Sequence, residues 1–478
     1  MPPKKSEISK NDPKRSGKKK EYSMESLEEL EGDLTKTHPE ESTDTEDELE
    51  VEGEMSKNCC IYTVPKTLAD INTKKAYEPR VVSIRPYHGG EEQVQAMKKH
   101  KRQFLSHLLH RKQLSLNDLL ESKSISRLAK KASKYYSKDI NYFENDEMEC
   151  RFLKLMVLDG CFLIELFKKA DKVEKVFERD DPLATMAWAV PYMYGDLLLV
   201  GNQIPFFVLE ELFQTFKMPG DSDASLSLLA LKFLNKVMQR PDGVVDNFLK
   251  RATPNNYPKP LHLLDLVRSS LLLQPDQEET RIAISNSEPS NKRNDLIYCI
   301  SKLRRAGIKL RRREADSFLD VKFKKGKGIF CNGVIEMPNI TMDYHMKSFL
   351  VNCVAFEQLH NTPSKQFTVY ARLLDCLVNT AKDVDHLCHN DIFDNYFGKD
   401  GDIVLFINKM GKDLAFDEDQ FYLSQLFKDV NACYGTDWKV LWARFKARPS
   451  TPPNGRAIWG WLGHPLAKET ADKVNGIC

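Results

Sequence analysis

Residues able to do chemistry gather in three places along this 478-residue chain. Asp383, Asp385, His386, Cys388 and His389 crowd together, and on a helix His386 and His389 would share a face and offer two imidazole nitrogens to a metal. A structural zinc needs a complete tetrahedral set, no second cluster has complementary spacing, and histidines near a helix end commonly bond its last carbonyls instead. Asp159 and Cys161, with His88 upstream, would give a hydrolase an acid, a thiol and a base. Cys161, however, sits among Met156, Val157, Leu158 and Phe162, where a thiol ordinarily serves as a small core hydrophobe. No Gly-x-Ser-x-Gly, His-Glu-x-x-His, phosphate loop or dinucleotide fingerprint occurs. No catalytic, metal or cofactor residue is therefore assigned, and no cofactor is expected.

The third place is the basic segment Lys302 to Lys327, where eleven lysines and arginines meet only Glu314, Asp316 and Asp320. Strand alternation puts Lys309, Arg311 and Arg313 on one face, suited to phosphates or acidic protein, with Lys322 and Lys324 as further candidate contacts. Only Phe318, Phe323 and Phe330 could stack on bases, which argues against nucleic acid and for a protein partner or another anionic surface. A solvated face is the plain alternative.

The elements that must position these residues are mostly helical. Three- and four-residue apolar spacing predicts helices over Gln93–Leu109, Leu116–Tyr136, Glu147–Lys169, Phe206–Phe216, Leu226–Met238, Leu261–Leu273 and Asp295–Ala306. It returns at Met346–Leu359, Thr368–Leu387, Asp402–Met410, Phe421–Tyr434 and Trp438–Phe445. Ile61–Pro65 and Arg80–Ile84 look extended, while 308–311, 318–323 and 333–337 alternate and predict a small antiparallel sheet. The fold class expected is α+β, predominantly α-helical.

Residues 57–446 carry this pattern and are expected to form one body. Ahead of them, residues 1–56 hold a basic block and then, from Glu21 to Glu54, fifteen acidic residues against Lys36; too few apolar residues remain to offset ordering, so a disordered tail is expected. Residues 447–478 read as an irregular tail of prolines, glycines and charges. The N-terminus lacks the apolar core of a secretory signal. Pro182–Leu209 is long enough to span a bilayer, but Pro191, Asp196, Asn202, Gln203 and Pro205 favour a buried protein core. Eleven cysteines without a Cys-x-x-Cys spacing suggest reduced thiols in the cytoplasm or nucleus.

Several strings resemble a plant family known only as domain of unknown function 247. They are Tyr77-Glu78-Pro79-Arg80-Val81-Val82-Ser83-Ile84-Arg85-Pro86-Tyr87-His88, then Met156-Val157-Leu158-Asp159-Gly160-Cys161-Phe162, then Asp196 to Leu209 with Asn202-Gln203-Ile204-Pro205 at its centre. His262-Leu263-Leu264-Asp265, Ala306-Gly307-Ile308, Asn352 with Ala355-Phe356-Glu357-Gln358, and Asp383-Val384 follow in the family's order. The resemblance implies no established activity, and it suggests recognition or signalling. It also implies a plasma-membrane location through a C-terminal apolar helix, for which residues 447–478 contain no suitable run; Gly201 departs too, standing where an acidic residue usually precedes Asn-Gln.

The motif residues have a structural reading of their own. Asp159, Gly160, Cys161, Asn202, Gln203 and Pro205 are expected to determine the fold, with the two amides tying the turn before Pro205 to neighbouring backbone. The sequence therefore reads as a non-enzymatic recognition or regulatory protein. Its rivals are a hydrolase using Asp159, His88 or Cys161 and a nuclear nucleic-acid binder.

Overall fold

The computed structural model describes residues 58–446 apart from 73, 85–91, 138–145, 172–187, 219–224, 253–258, 274–295, 327–332, 363 and 417–420. Expectations for both tails, His88 and Lys327 lie outside the described residues. The helices in chain order are α1 (Lys66–Asn72), α2 (Glu92–Lys112), α3 (Leu116–Glu121), α4 (Leu128–Ala132), α5 (Asp146–Asp171), α6 (Val190–Asp196), α7 (Phe206–Thr215), α8 (Leu226–Met238), α9 (Asp242–Arg251), α10 (Leu263–Ser269) and α11 (Ile300–Arg305). Strands β1 (Lys309–Arg313), β2 (Lys322–Lys324), β3 (Val334–Pro338) and β4 (Ile340–Met342) come next. The chain continues through α12 (Tyr344–Leu359), α13 (Gln366–Leu377), α14 (Ala381–His389), β5 (Phe393–Asn395), α15 (Asp400–Met410) and α16 (Ser424–Lys446). The fold is thus predominantly α-helical with a small sheet, as the spacing predicts.

Two helices organise the core. Every α5 residue from Leu155 to Phe167 is buried, as is every α12 residue from Ser348 to Glu357, so both are enclosed on all sides rather than presenting one apolar stripe. Around α5 pack α2, α4, α7 and α8; α12 packs against α6, α8, α10, α13 and β4. Gly160 permits one of these contacts. A Cβ there would stand 2.5 Å from Leu212 Cδ1 and 3.4 Å from Leu209 Cδ2, both on α7.

Two long helices expected from the spacing are broken by local hydrogen bonds. In Leu116–Tyr136 the Ser122 hydroxyl donates to Leu119 O at 2.8 Å, α3 ends, and the chain restarts as α4 followed by a 3-10 turn, Ser133–Tyr135. In Thr368–Leu387 the break falls at Thr380, which forms a reciprocal capping box with Asp383 at the start of α14. Conversely, most of Phe421–Tyr434 and all of Trp438–Phe445 belong to one helix, α16, which starts at Ser424.

The sheet is mixed rather than antiparallel. Its order is β1-β3-β2, with β2 antiparallel and β1 parallel to the central β3. Burial accounts for the order: Ile335, Glu336, Met337 and Pro338 of β3 are buried, while β1 and β2 expose charged residues as the two edges. Cationic edge strands also discourage edge-to-edge association. Gly307 turns the chain from α11 into β1: its φ is 86°, and N–H groups of Gly307 and Ile308 donate back to Arg304 O and Leu303 O. β4 pairs in parallel with β5. The expected extended piece at Ile61 makes a single bridge to Tyr136, and Arg80–Ile84 joins no strand.

No helix among the described residues is long and apolar enough to cross a membrane, and 193–209 is packed into the protein, while Trp188 and Tyr192 are exposed. Eight described cysteines carry free thiols. Cys433 is disulfide-bonded, which departs from the expectation of reduced thiols throughout.

Substituting Gly160→Val should destabilise the protein by about 2–3 kcal/mol, because overpacking against Leu212 outweighs the roughly 0.3 kcal/mol of helix propensity gained on replacing glycine by β-branched valine. Urea denaturation followed by circular dichroism measures this; an unchanged midpoint would mean that α7 yields without strain.

Candidate functional site

Arg80, Val81, Val82 and Ile84 are backbone donors in a stretch, buried from Val81 onward, with no strand to pair with, and side chains 114 to 118 residues away satisfy them. Asp196, at the end of α6, accepts from Arg80 N at 2.9 Å through Oδ1 and from Val81 N at 2.7 Å and Val82 N at 2.8 Å through Oδ2. Asn202 Oδ1 accepts from Ile84 N at 2.5 Å, and its Nδ2 donates to Val82 O at 2.9 Å and Asp196 O at 2.8 Å. Gln203 Nε2 donates to Leu197 O and Leu199 O, while its Oε1 accepts from Leu264 N at 3.2 Å at the start of α10. Asn352 of α12 accepts from Val200 N at 2.9 Å and donates to Ala76 O and Ser348 O. Pro205 then caps α7, and Phe206 N donates to Leu261 O at 2.7 Å. Burial raises the Asp196 carboxyl above the usual range, against the opposing pull of the N–H groups of Val82, Arg80 and Val81.

Two buried ion pairs flank this hub. Lys101 Nζ lies 2.5 Å from Asp159 Oδ1 and 2.5 Å from Ser83 O, with the two side chains 3% and 0% exposed. Arg268 donates through Nε and Nη2 to Glu357 Oε1 at 3.0 and 2.8 Å and also bonds Ser364 O. Glu357 Oε2 accepts from Thr368 N and Oγ1, which joins α12 to α13. Next to this pair, His262 Nδ1 accepts from Asp265 N at 3.2 Å, so Nε2 carries the proton and donates to Cys60 O at 3.2 Å. Burial pushes the imidazole down to about 4; the Asp265 carboxylate and the bond to Cys60 oppose that, while His360 and Arg268 reinforce it.

Among the described residues the first two places do not assemble a reactive site, and His88 lies outside them. Asp159 and Cys161 are sealed inside the body, and burial, then Glu165, holds the Cys161 thiol well above its ordinary value. Asp383 is a helix cap: it takes hydrogen bonds from Ser301 N and Oγ and from Thr380 N and Oγ1. Burial alone would raise its carboxyl, but those four bonds hold it below the usual value. His389 pairs with Asp385 at 3.2 Å, and no group of three metal-binding side chains occurs among the described residues.

The five cationic candidates, by contrast, come together. Register places Lys309 beside Val334 and Lys324, Arg311 beside Glu336 and Lys322, and Arg313 beside Pro338, so all five lie on one face of the sheet. Leu310, Ile335 and Phe323 occupy the opposite, inward face. Lys324 pairs with the buried Glu336 at 2.9 Å, and Asp320 pairs with Arg313 at 2.8 Å and Lys322 at 3.8 Å. Lys309 and Arg311 are exposed and have no ion pair among the described residues. Five cations against two carboxylates leave this face positive by three charges. Alternation identified the Lys309, Arg311 and Arg313 face; Glu336 escaped notice because only strand pairing brings it beneath them. Lys101 and Arg268, each at a helical position in an ordinary amphipathic pattern, gave no signal of the buried pairs they form.

Replacing Asp196→Ala leaves the N–H group of Arg80 and the buried ones of Val81 and Val82 without their acceptor and should lower stability by about 3–5 kcal/mol. Thermal and urea unfolding check this, and an effect below about 1 kcal/mol would mean that water substitutes for the carboxylate. The His262 arrangement predicts acid sensitivity of a definite sign. Its folded value lies below the ordinary one near 6.5, so the unfolded chain takes up the proton first, and this contribution is complete above about pH 6.5 and declines by roughly 3 kcal/mol as pH falls toward 4. Unfolding measured between these limits should be distinctly less pH-dependent in His262→Asn, whose side chain can still cap Asp265 N. Equal pH slopes in the two proteins would contradict it.

The pattern described as plant protein of unknown function, DUF247, matches residues 61–453. UPF0481 protein At3g47200 of Arabidopsis thaliana is 32% identical over 415 residues, covering 83% of this chain and 82% of its own. Putative UPF0481 protein At3g02645 of the same plant is 22% identical over 474 residues, covering 82% of this chain and 85% of its own. No solved structure matches the chain. With the family pattern spanning almost the whole described body, the chain belongs to the DUF247 family of plant proteins of unknown function.

Proposed function

We propose that this chain is a non-enzymatic recognition protein that engages an acidic protein segment through the cationic face of β1, β3 and β2. The observation that carries this reading is the convergence of Lys309, Arg311, Arg313, Lys322 and Lys324 on one face over Glu336. Asp320 and Glu336 pre-order Arg313 and Lys324, while Lys309 and Arg311 remain available to carboxylates of a partner. Such a face mainly sets selectivity and association rate, and it weakens as salt shortens the screening length to about 8 Å at physiological strength. In the same reading Asp159, Gly160, Cys161, Asn202, Gln203 and Pro205 determine the fold and touch no partner; their burial supports this. Placement in the cytoplasm or nucleus belongs to the same proposal and rests on the eight free thiols, with the disulfide-bonded Cys433 standing against it.

Fluorescence anisotropy with a labelled glutamate-rich peptide tests the proposal. Binding should weaken by about tenfold in the double variant Lys309→Glu, Arg311→Glu, with an unaltered circular dichroism spectrum, because each reversal removes one charge contact and adds a repulsion. Affinity that is insensitive to these substitutions would overturn it.

A further inference from the structure

From Ser122 to Tyr136 the chain carries Lys123, Arg127, Lys130, Lys131 and Lys134 and no acidic residue. Arg127, Lys130, Lys131 and Lys134 follow one another at three- and four-residue spacing through α4 and its 3-10 extension, so they share one helical face. Like charges at that spacing repel, by roughly 0.2–0.5 kcal/mol per pair, and here no carboxylate relieves them: none of the four is in an ion pair among the described residues. The face borders a cleft of about 450 Å³, within the size range of small-molecule sites. Ser126 and Tyr135 also line it, and Glu149 of α5 is the one acidic residue in its wall, leaving a net of three positive charges.

The cleft has a fixed floor. Leu128, Ala129 and Ala132 are buried beneath the cations, and Tyr135 O accepts from Cys60 N at 2.9 Å and Ile61 N at 2.8 Å. The Lys131 ammonium is held 4.0 Å from the Phe207 ring centroid, while Arg127, Lys130 and Lys134 line the cleft as exposed residues above this base. On the sheet face, by contrast, Asp320 and Glu336 absorb part of the charge within the protein. Here nothing comparable does so.

We propose that this cleft is a binding site for a small ligand bearing clustered phosphates. Phosphate concentrates up to two charges and three acceptor oxygens on one group, which matches a guanidinium fork and several ammonium groups converging on a space of this size better than a single carboxylate does. The same chemistry is presented by a soluble inositol polyphosphate and by the headgroup of a phosphoinositide lipid.

Isothermal titration of the full chain with inositol hexakisphosphate, at about 0.15 M ionic strength, tests the site. Expected is one-to-one binding that weakens by about tenfold in the double variant Lys130→Gln, Lys134→Gln, whose exposed side chains can be exchanged without touching the core. The sheet variant Lys309→Gln, Arg311→Gln should bind as the parent does. Absence of binding, or equal weakening by both double variants, would overturn the proposal, the second by showing general charge attraction. Sedimentation with phosphatidylcholine vesicles containing phosphatidylinositol bisphosphate identifies the source: binding abolished by Lys130→Gln, Lys134→Gln supports the site with a lipid headgroup as ligand. Binding of the free polyphosphate without the vesicles supports it with a soluble one.

Discussion

A carboxylate inside the protein, that of Asp196, holds together segments that no regular ladder connects. The stretch from Arg80 to Ile84 enters the interior as irregular chain, and the buried N–H groups of Val81, Val82 and Ile84 have no strand partner. Asp196 takes those of Arg80, Val81 and Val82 and Asn202 that of Ile84, while Asn202 also binds Asp196 O and so fixes the turn that carries the carboxylate. Gln203 and Asn352 extend the network to α10 and α12. Four polar side chains thus replace the missing sheet, and the large apolar core closes around them.

The ionic groups of the protein divide into those that specify its interior and those that face outward. Lys101 with Asp159 and Arg268 with Glu357 are desolvated pairs, whose attraction is largely offset by the loss of hydration. Their effect lies in selecting one arrangement, since any alternative packing would strand a charge. Lys101 also bonds Ser83 O, in the stretch that Asp196 organises, so the first pair and the hub constrain the same strip of backbone from two sides. The outward cations on β1 and β2 and on α4 have no such task; the first set is partly paired within the sheet, and the second forms no ion pair among the described residues.

Asp159 and Cys161 show how residue type misleads when burial is unknown. An acid and a thiol two positions apart suggest reactivity, yet on α5 both are enclosed, one by a lysine and the other by apolar neighbours. Asp383 likewise stands among histidines and a cysteine in the chain but spends its oxygens on Ser301 and Thr380. In each case a short-range pattern of ligand types is overruled by the partner that tertiary packing supplies.

The sequence by itself determined what depends on neighbours within a few residues: the helices of 3.6-residue period, the alternation that faces Lys309, Arg311 and Arg313 one way, and the polar punctuation at Asn202, Gln203 and Pro205. It could not show that β1 runs parallel to β3, because strand direction depends on the route of the chain between them. Nor could it show that Glu336 lies under the cations or that Arg127, Lys130, Lys131 and Lys134 border a cleft. Serine bonds at Ser122 and the Thr380 cap interrupted helices whose apolar spacing continues across the break. The hub itself unites donors and acceptors as far apart as Ala76 and Asn352. Helical and strand periods are local consequences of backbone geometry, whereas the pairing of buried polar groups is decided by which distant segments the whole packed core brings into reach.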